Sequence, residues 1–369
     1  MRENKENEDN QENADSKENL ARNVTAQTAV GQSDSEQPVS AQPDAEQNAS
    51  KQTSLGQTTA EQLKSQPLQQ QSKSKKTWHD FFLIPILAGF VIILFGGLLE
   101  FIIDSFMNDV SKKTGNAYYE MLGMYLSTAG IWVICLSYLV IVKYNNPILK
   151  ALWTRPKGNN VKMLLFGLLV GFIMNGSCAA AALLHNDIAL SFDKFVPLEF
   201  FTLLIAVFMQ SSAEELLCRG FMYQRLRKGY KNPWVAIILN SLVFAMLHLG
   251  NDGMTGLSLT ELFLTGLLFG MTVYYFDSIW FAMAVHCSWN FTQNVLLGLP
   301  NSGIESKYSV FKLVDGSAHN SFAYDVSFGV EGTIAAVAVV MLACAIVWFT
   351  GRKRKERDLD VWAEKRIEA

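Results

Sequence analysis

Apolar residues in this chain are gathered into long blocks that are separated by short polar connections. A helix that crosses a bilayer needs about 20 mostly apolar residues. Eight stretches approach or exceed that length, the fifth being short, so the pattern predicts an all-α polytopic membrane bundle of about eight transmembrane helices. The stretches are 81–104, 119–142, 161–184, 195–217, 233–249, 257–276, 279–297 and 329–350.

Two features of these stretches predict how the helices pack. The sixth and seventh are joined by little more than Asp277 and Ser278, so we expect an antiparallel hairpin. The third carries Gly167, Gly171 and the alanines at 179–182. Small residues of this kind allow two membrane helices to approach closely.

The segments that flank the expected bundle, 78–351, differ from it in composition. Residues 1–77 are predicted to form a disordered cytoplasmic tail, because the first 76 contain no Phe, Tyr or Trp and bury too little apolar area to offset the entropy of ordering. They also lack the basic start and apolar core of a secretory signal, so the first span is expected to direct insertion. Residues 352–369 are predicted to form a basic cytoplasmic tail.

The distribution of basic residues predicts the orientation. Lys and Arg are enriched in cytoplasmic connections, and in an eight-span arrangement four basic clusters fall on one side, where both termini then lie. The chain is thus expected to be a multi-pass protein of the cell membrane, with the connection 298–328 outside and His319 as a surface histidine. The clusters are Lys73, Lys75 and Lys76; Lys150, Arg155 and Lys157; Arg225, Arg227, Lys228 and Lys231; and 352–355.

Charge and cysteine content exclude two classes of function. The formal net charge is only -3 over 369 residues, which gives no reason to expect a nucleic-acid partner. The five cysteines show no C-x-x-C spacing, so neither a disulfide framework nor a thiolate metal site is indicated.

Three ionisable residues at the end of the fourth stretch, Glu214, Glu215 and Arg219, are the first candidates for chemistry. An ionisable group within a membrane span is costly and by default marks a functional site. Adjacent glutamates point about 100° apart on a helix, so Glu214 can face a pocket while Glu215 pairs with Arg219 at i,i+4. The reverse division, and a role as interfacial charges, are the alternatives.

Polar residues on two later stretches can reach the same level. His248 ends the run from Phe244, and His286 and Asn290 share one helix face at i,i+4. At a rise of about 1.5 Å per residue, Glu214 and His248 lie roughly 21 to 22 Å from the cytoplasmic ends of their helices. His286 and Asn290 lie about 10 to 17 Å from the helix start at Ile279. A shared catalytic pocket is feasible; alternatively, His248 is a satisfied core residue and the His286 and Asn290 pair is a hydrogen-bonding connector between helices.

These residues resemble the three motifs of the CAAX protease and bacteriocin-processing family, also called Abi or type II CAAX prenyl endopeptidases. The motifs are E-E-L-L-C-R-G-F-M-Y-Q-R-L at 214–226, F-x-x-x-H at 244–248 and H-x-x-x-N at 286–290. The resemblance covers roughly residues 195–297. It implies an intramembrane endopeptidase whose site residues are Glu214, Glu215, Arg219, His248, His286 and Asn290.

Peptide hydrolysis needs a general base, a donor to the oxyanion and an acid for the leaving amine. We assign the base to Glu214, with His286 orienting the water or helping to deprotonate it, and His248 and Asn290 donating to the oxyanion. Glu214, His248 and His286 would also suit a catalytic zinc, although no H-E-x-x-H is present. Members of the family are commonly classed as metalloproteases, whereas a metal-free mechanism is implied for some, and we favour the latter while zinc stays open.

The expected partners are membrane lipid and a hydrophobic or lipidated peptide or protein substrate. The resemblance implies CAAX-type cleavage or processing of bacteriocins and other peptides. A non-enzymatic bacteriocin-immunity or partner-binding membrane protein of the same fold is the alternative. A transporter that uses Glu214 as a proton relay is less favoured, because the sequence shows no inverted repeat.

Overall fold

The computed structural model describes residues 77–154, 156–353 and 361–362. All of them belong to one compact unit that begins at Ser74. The predicted disordered tail, 1–77, falls outside the described residues except for Thr77, as does most of the basic segment 352–369.

The described chain is an all-α bundle, as predicted. Its α-helices are α1 (Leu83–Thr114), α2 (Ala117–Leu126), α3 (Ala129–Ile141), α4 (Leu149–Leu152), α5 (Val161–Leu184), α6 (Pro197–Glu215), α7 (Tyr223–Gly229), α8 (Pro233–Leu247), α9 (Gly256–Phe276), α10 (Ile279–Asn290) and α11 (Ile334–Gly351). π-Helical segments follow α6 at Leu216–Met222 and α10 at Phe291–Leu296, and 3-10 turns occupy Trp78–Asp80, Lys143–Ile148 and Val330–Gly332.

Within the described residues, six helical stretches are long and apolar enough to cross a membrane. Two of them join shorter helices: α2 with α3, and α6 with the π segment and α7. The fifth predicted span is the shorter apolar helix α8, and the seventh is α10 with its π segment. The chain is therefore an integral multi-pass membrane protein in which two of the predicted spans are short.

Burial separates the outer helices from the inner ones. Large apolar side chains of α1, such as Leu94 and Phe101, are more than half exposed, as expected where a helix faces lipid. In α10, by contrast, every residue is buried except Trp280. The short helix α10 is therefore the centre around which the others pack.

Small residues bring α5 against α10, as the sequence predicted. A Cβ added at Gly167 would lie 2.8 Å from both the Ala284 Cβ and the Phe281 backbone oxygen, and one at Gly171 would meet the backbone of Val285. The predicted hairpin is also present. Asp277 adopts a left-handed conformation with φ 52°, and the Ser278 hydroxyl caps the first turn of α10.

The connection 298–328 is structured where the sequence predicted only an outer loop. Its strand β2 (Phe311–Leu313) pairs antiparallel with β1 (Leu190–Phe192), which fixes it to the connection between α5 and α6. His319 is exposed, as expected, and its Nε2 lies 3.2 Å from Asp187 Oδ1.

The eighth predicted span begins later than expected. The prediction of helix from residue 329 is wrong, because Gly329 has φ 82°, Val330–Gly332 form a 3-10 turn, and α11 starts only at Ile334. Thr333 is the N-cap, and its hydroxyl accepts from Ala336 N. This keeps Glu331 outside the helix and near the polar residues described below.

Candidate active site

The two adjacent glutamates at the end of α6 lie in different surroundings. The side chain of Glu215 is 0% exposed, whereas that of Glu214 is 27% exposed and lines an internal cavity. The π-helical segment begins directly after Glu215. π-Bulges occur frequently at functional sites because they change the direction in which side chains project.

Glu215 forms the predicted ion pair with Arg219. Arg219 Nη1 donates to Glu215 Oε1 at 2.8 Å, and both side chains are fully buried. The guanidinium also donates to the Gly266 carbonyl at 3.1 Å and contacts the rings of Phe244 and Phe269, at 4.5 and 5.1 Å from their centroids. The alternative of three interfacial charges is therefore wrong for this pair.

His286 of α10 lies between the two carboxylates. Its Nδ1 is 3.1 Å from Glu215 Oε1, and its Nε2 is 3.8 Å from Glu214 Oε2. An ionised Glu215 can only accept a hydrogen bond, so His286 donates from Nδ1 and presents Nε2 toward Glu214. The ring stacks on Phe269 with 5.3 Å between centroids, which fixes its plane.

His248 is the residue immediately after α8, and it also lines the cavity. Its Nδ1 lies 2.9 Å from the Phe244 carbonyl oxygen, which can only accept, so Nδ1 carries the proton. The ring contacts Phe244 at 4.9 Å. Nε2 is left as the ring nitrogen available to a bound molecule.

A glutamine that the sequence analysis missed connects Asn290 with Glu214. Asn290 Nδ2 donates to Gln210 Oε1 at 3.2 Å, and Gln210 Nε2 donates to Glu214 Oε1. Gln210 lies one helical turn before Glu214, a spacing at which two side chains are neighbours. In the sequence, this i,i+4 spacing was the feature that could have placed Gln210 beside Glu214.

One cavity of ≈ 300 Å³ joins these groups. Its lining includes Glu214, His248, His286 and Asn290 together with Gln210. The structure thus brings together four of the predicted catalytic residues, while Glu215 and Arg219 lie behind them. The rest of the wall is mostly apolar.

Three further glutamates missed by the sequence analysis lie near this cavity. Glu261 of α9 and Glu331 line it, and Glu100 of α1 interacts electrostatically with Glu214. The only available signal was the cost of an ionisable residue within an apolar stretch. All three lay within predicted spans: Glu100 in 81–104, Glu261 in 257–276 and Glu331 in 329–350.

The loop that follows the seventh predicted span also contributes to the site. Asn301 Nδ2 donates to Asn290 Oδ1 at 3.4 Å and to Glu331 Oε1 at 3.0 Å, and Ser302 donates to Glu331 Oε2 from both its backbone and its hydroxyl. The connection 298–328, which the sequence analysis places outside and gives no part in the site, therefore contributes to it. Nothing local in the sequence indicates these contacts, because the partners are far apart along the chain.

The polar residues of the cavity include types that can bind a metal ion, namely His and Glu. Among the described residues, no group of three or more His, Cys, Asp or Glu side chains is arranged to hold a metal ion. The hydrogen bonds at Nδ1 of His248 and His286 leave both Nε2 atoms free, which is also the arrangement of histidines that bind a metal. Glu214, His248 and His286 are nevertheless not grouped as a three-ligand centre in this structure.

Comparison with known proteins supports the motif assignment. Residues 196–292 match the family model for type II CAAX prenyl endopeptidases of the Rce1-like type. Searches of curated proteins and of solved structures gave no significant match. The matched residues include all three motifs, and with them the helices α6 to α10. The resemblance is therefore confirmed: residues 196–292 match the Rce1-like, type II CAAX prenyl endopeptidase model, consistent with the CAAX protease and bacteriocin-processing family.

Proposed function

We propose that this protein is an intramembrane endopeptidase in which Glu214 activates the water that attacks the peptide bond. The observation that carries the proposal is the difference between the two glutamates. Glu215 is buried and neutralised by Arg219, whereas Glu214 faces the cavity with His286 Nε2 3.8 Å away. Of these two glutamates, only Glu214 has access to the cavity.

The space between Glu214 and His286 fits the nucleophilic water. A separation of 3.8 Å is too long for a direct hydrogen bond, but a water beside both groups reaches each of them at hydrogen-bond distance. His286 Nε2 accepts one hydrogen bond and orients this water. Glu214 removes the other proton as the oxygen attacks the carbonyl carbon, and then delivers it to the leaving amine when the C–N bond breaks.

Asn290 and His248 are suited to stabilise the oxyanion. Asn290 Nδ2 donates to Gln210 and has a second hydrogen available. His248 donates from Nε2 when that nitrogen carries a proton, because its Nδ1 proton is already bonded to the Phe244 carbonyl. Fixed donors in an apolar cavity stabilise developing negative charge strongly, since they need no reorganisation during the reaction.

The proposed mechanism uses no metal. It assigns the activation of water to Glu214 and the positioning of water to His286. The poor fit of the donor set to a three-ligand centre supports this choice. The Glu215 and Arg219 pair then serves to hold His286 in place through the contact at Nδ1.

The cavity wall supports a hydrophobic or lipid-linked peptide as substrate. Residues from several helices supply apolar surface, and a polypeptide that enters from the membrane already carries such side chains. We propose CAAX-type or other membrane-peptide processing as the reaction class. The apolar residues that line the cavity include Ile93, Ile131, Met174, Leu217, Leu262 and Leu268.

The test is hydrolysis of fluorogenic peptides by the purified full-length protein in detergent. The peptides include prenylated and transmembrane sequences, and the samples are wild type, Glu214→Gln, and wild type with a metal chelator. We expect cleavage that is lost in Glu214→Gln and retained with chelator. Asp109→Asn is the matched control, because this carboxylate is exposed on α1 and pairs with Lys113.

Two results would contradict the proposal. Loss of activity with the chelator and recovery on adding zinc would indicate a metal enzyme. A folded wild-type protein that cleaves no peptide in the library would favour the immunity or partner-binding alternative.

A further inference from the structure

The cavity contains more carboxylates than the proposed hydrolysis requires. Glu214, Glu261 and Glu331 line it, and among the described residues no lysine or arginine does. Glu261 and Glu331 are only 2% and 4% exposed, and they interact electrostatically with each other. Burying charge is costly unless it is paired, so two neighbouring buried carboxylates call for an explanation.

Glu331 is held in place by neutral donors. Trp289 Nε1 and Asn301 Nδ2 donate to its Oε1 at 2.8 and 3.0 Å, and Ser302 donates twice to its Oε2. These bonds fix the position of the carboxylate. They supply no formal positive charge.

Glu261 has a free oxygen. Thr265 donates to its Oε1 at 2.7 Å, whereas no described residue donates a hydrogen bond to its Oε2. Glu261 lies on α9, five residues before Gly266, whose carbonyl accepts from Arg219. A nearly buried carboxylate with an unused oxygen at a cavity wall is suited to bind a cationic group that arrives with a ligand.

A second cavity extends this negative character. It measures ≈ 750 Å³ and shares Ile304 with the first. Four acidic residues and one lysine line it, and that lysine, Lys307, pairs with Glu120. A cleft with one sign of charge concentrates ligands of the opposite sign. The other acidic residues are Asp104, Asp252 and Glu305.

We propose that Glu261, supported by Glu331, forms a subsite for a cationic group of the peptide substrate. The group is a lysine or arginine side chain, or a free amino terminus. This inference rests on the proposed peptidase function. Glu261 lines the same cavity as Glu214 and His286, so the cation lies within a few residues of the bond that is cut.

The experiment compares matched peptides derived from one that the wild-type protein cleaves. Lysine, acetyl-lysine or norleucine is placed at each position from one to four residues on either side of the cut, and the amino terminus is either free or acetylated. We expect lysine at one of these positions to raise kcat/KM by at least about tenfold over both neutral residues, mainly through KM. An effect that follows terminal acetylation instead identifies the amino terminus as the cation.

Protein variants locate the subsite. Glu261→Gln is expected to bring the ratio of kcat/KM for the lysine and norleucine peptides close to one, while Asp109→Asn keeps the wild-type ratio. Equal cleavage of charged and neutral peptides by the wild type, or a preference that persists in Glu261→Gln, would overturn the proposal. The comparison of lysine with acetyl-lysine uses only wild-type protein, so it stays decisive if Glu261→Gln does not fold.

Binding to the Glu214→Gln protein separates this proposal from the hydrolytic one. Fluorescence anisotropy gives the Kd of the same labelled peptides without cleavage. Tighter binding of the lysine peptide, together with a wild-type protein that hydrolyses none of the peptides, would support the subsite and refute the peptidase. Cleavage by the wild type without any preference for the cation, in kcat/KM or in Kd, would do the reverse.

Discussion

Glu214 and Glu215 are adjacent in sequence, yet the first faces a cavity and the second is fully buried against Arg219. The helix places them on different sides, and each side meets a different partner. His286 contacts Glu215 through Nδ1 and approaches Glu214 through Nε2. One imidazole therefore links the buried ion pair to the exposed carboxylate.

The first prediction separates the roles of the two glutamates. Glu214→Gln should lower kcat by about a thousandfold or more, because a general base and proton donor is lost, and it should leave the thermal unfolding temperature nearly unchanged, since Glu214 takes no part in the buried ion pair. Activity assays and thermal unfolding in detergent measure both quantities. A fully active Glu214→Gln protein would require the base to be Glu215 or another group.

The second prediction concerns the buried ion pair. Arg219→Ala should destabilise the protein by about 3–5 kcal/mol, because it leaves Glu215 buried without its partner. The double variant Glu215→Gln, Arg219→Ala should be less destabilised than the sum of the single changes, since the orphaned charge is removed. Denaturant unfolding in detergent provides the free energies. Additive effects would mean that the two groups do not interact.

The third prediction uses two glycines of α5. Gly171→Ala should destabilise by about 1–3 kcal/mol, because the new methyl group meets the backbone of α10 and overpacks the interface. Gly176→Ala is the matched control, since nothing lies within 4 Å of an added Cβ there, and it should be neutral or stabilising by up to about 1 kcal/mol. Equal effects on the unfolding temperature would argue against close packing at Gly171.

The fourth prediction concerns the loop that Glu331 holds. Glu331→Ala removes the acceptor of Trp289, Asn301 and Ser302, so the loop 299–305 should exchange its amide hydrogens faster and kcat should fall. Asp315→Ala changes an exposed carboxylate of the same connection, 298–328, and should alter neither. Hydrogen exchange followed by mass spectrometry measures the first effect. Unchanged exchange in Glu331→Ala would show that other contacts hold the loop.

The fifth prediction is a pH dependence at Asp187, outside the membrane-spanning helices. Burial raises the pKa of this carboxyl. Hydrogen bonds from Ser321 and His185 and the nearby charge of His319 together lower the pKa by more than burial raises it, so the pKa is below its ordinary value. The stabilisation is then present above the unfolded-state pKa, about 3.9, and is lost as pH falls through the lower folded-state value.

Thermal unfolding between pH 6 and pH 2.5 tests this contribution. The unfolding temperature of the wild type should fall more steeply below pH 4 than that of Asp187→Asn, which has no carboxyl to titrate. Parallel curves for the two proteins would show that Asp187 does not contribute. Asp109→Asn, which changes an exposed carboxylate, should follow the wild type.

The sequence alone determined the class of the protein and much of its machinery. Blocks of apolar residues indicate a membrane bundle because each helix must satisfy its own backbone and face lipid. The i,i+4 spacings predicted the pairing of Glu215 with Arg219 and the shared face of His286 and Asn290, since helical geometry fixes which side chains are neighbours. These are local relationships, and local spacing suffices to read them.

Only the tertiary structure decided which polar groups meet across the bundle. It brings Glu261 and Glu331 to the same cavity wall and places Asn301 between Asn290 and Glu331. It also shows that Glu214 lines the cavity and Glu215 pairs with Arg219. Helical geometry alone could not decide between this assignment and the reverse one. The physical reason is that such contacts depend on how helices rotate, end and pack around the short buried helix α10, and no single segment carries that information.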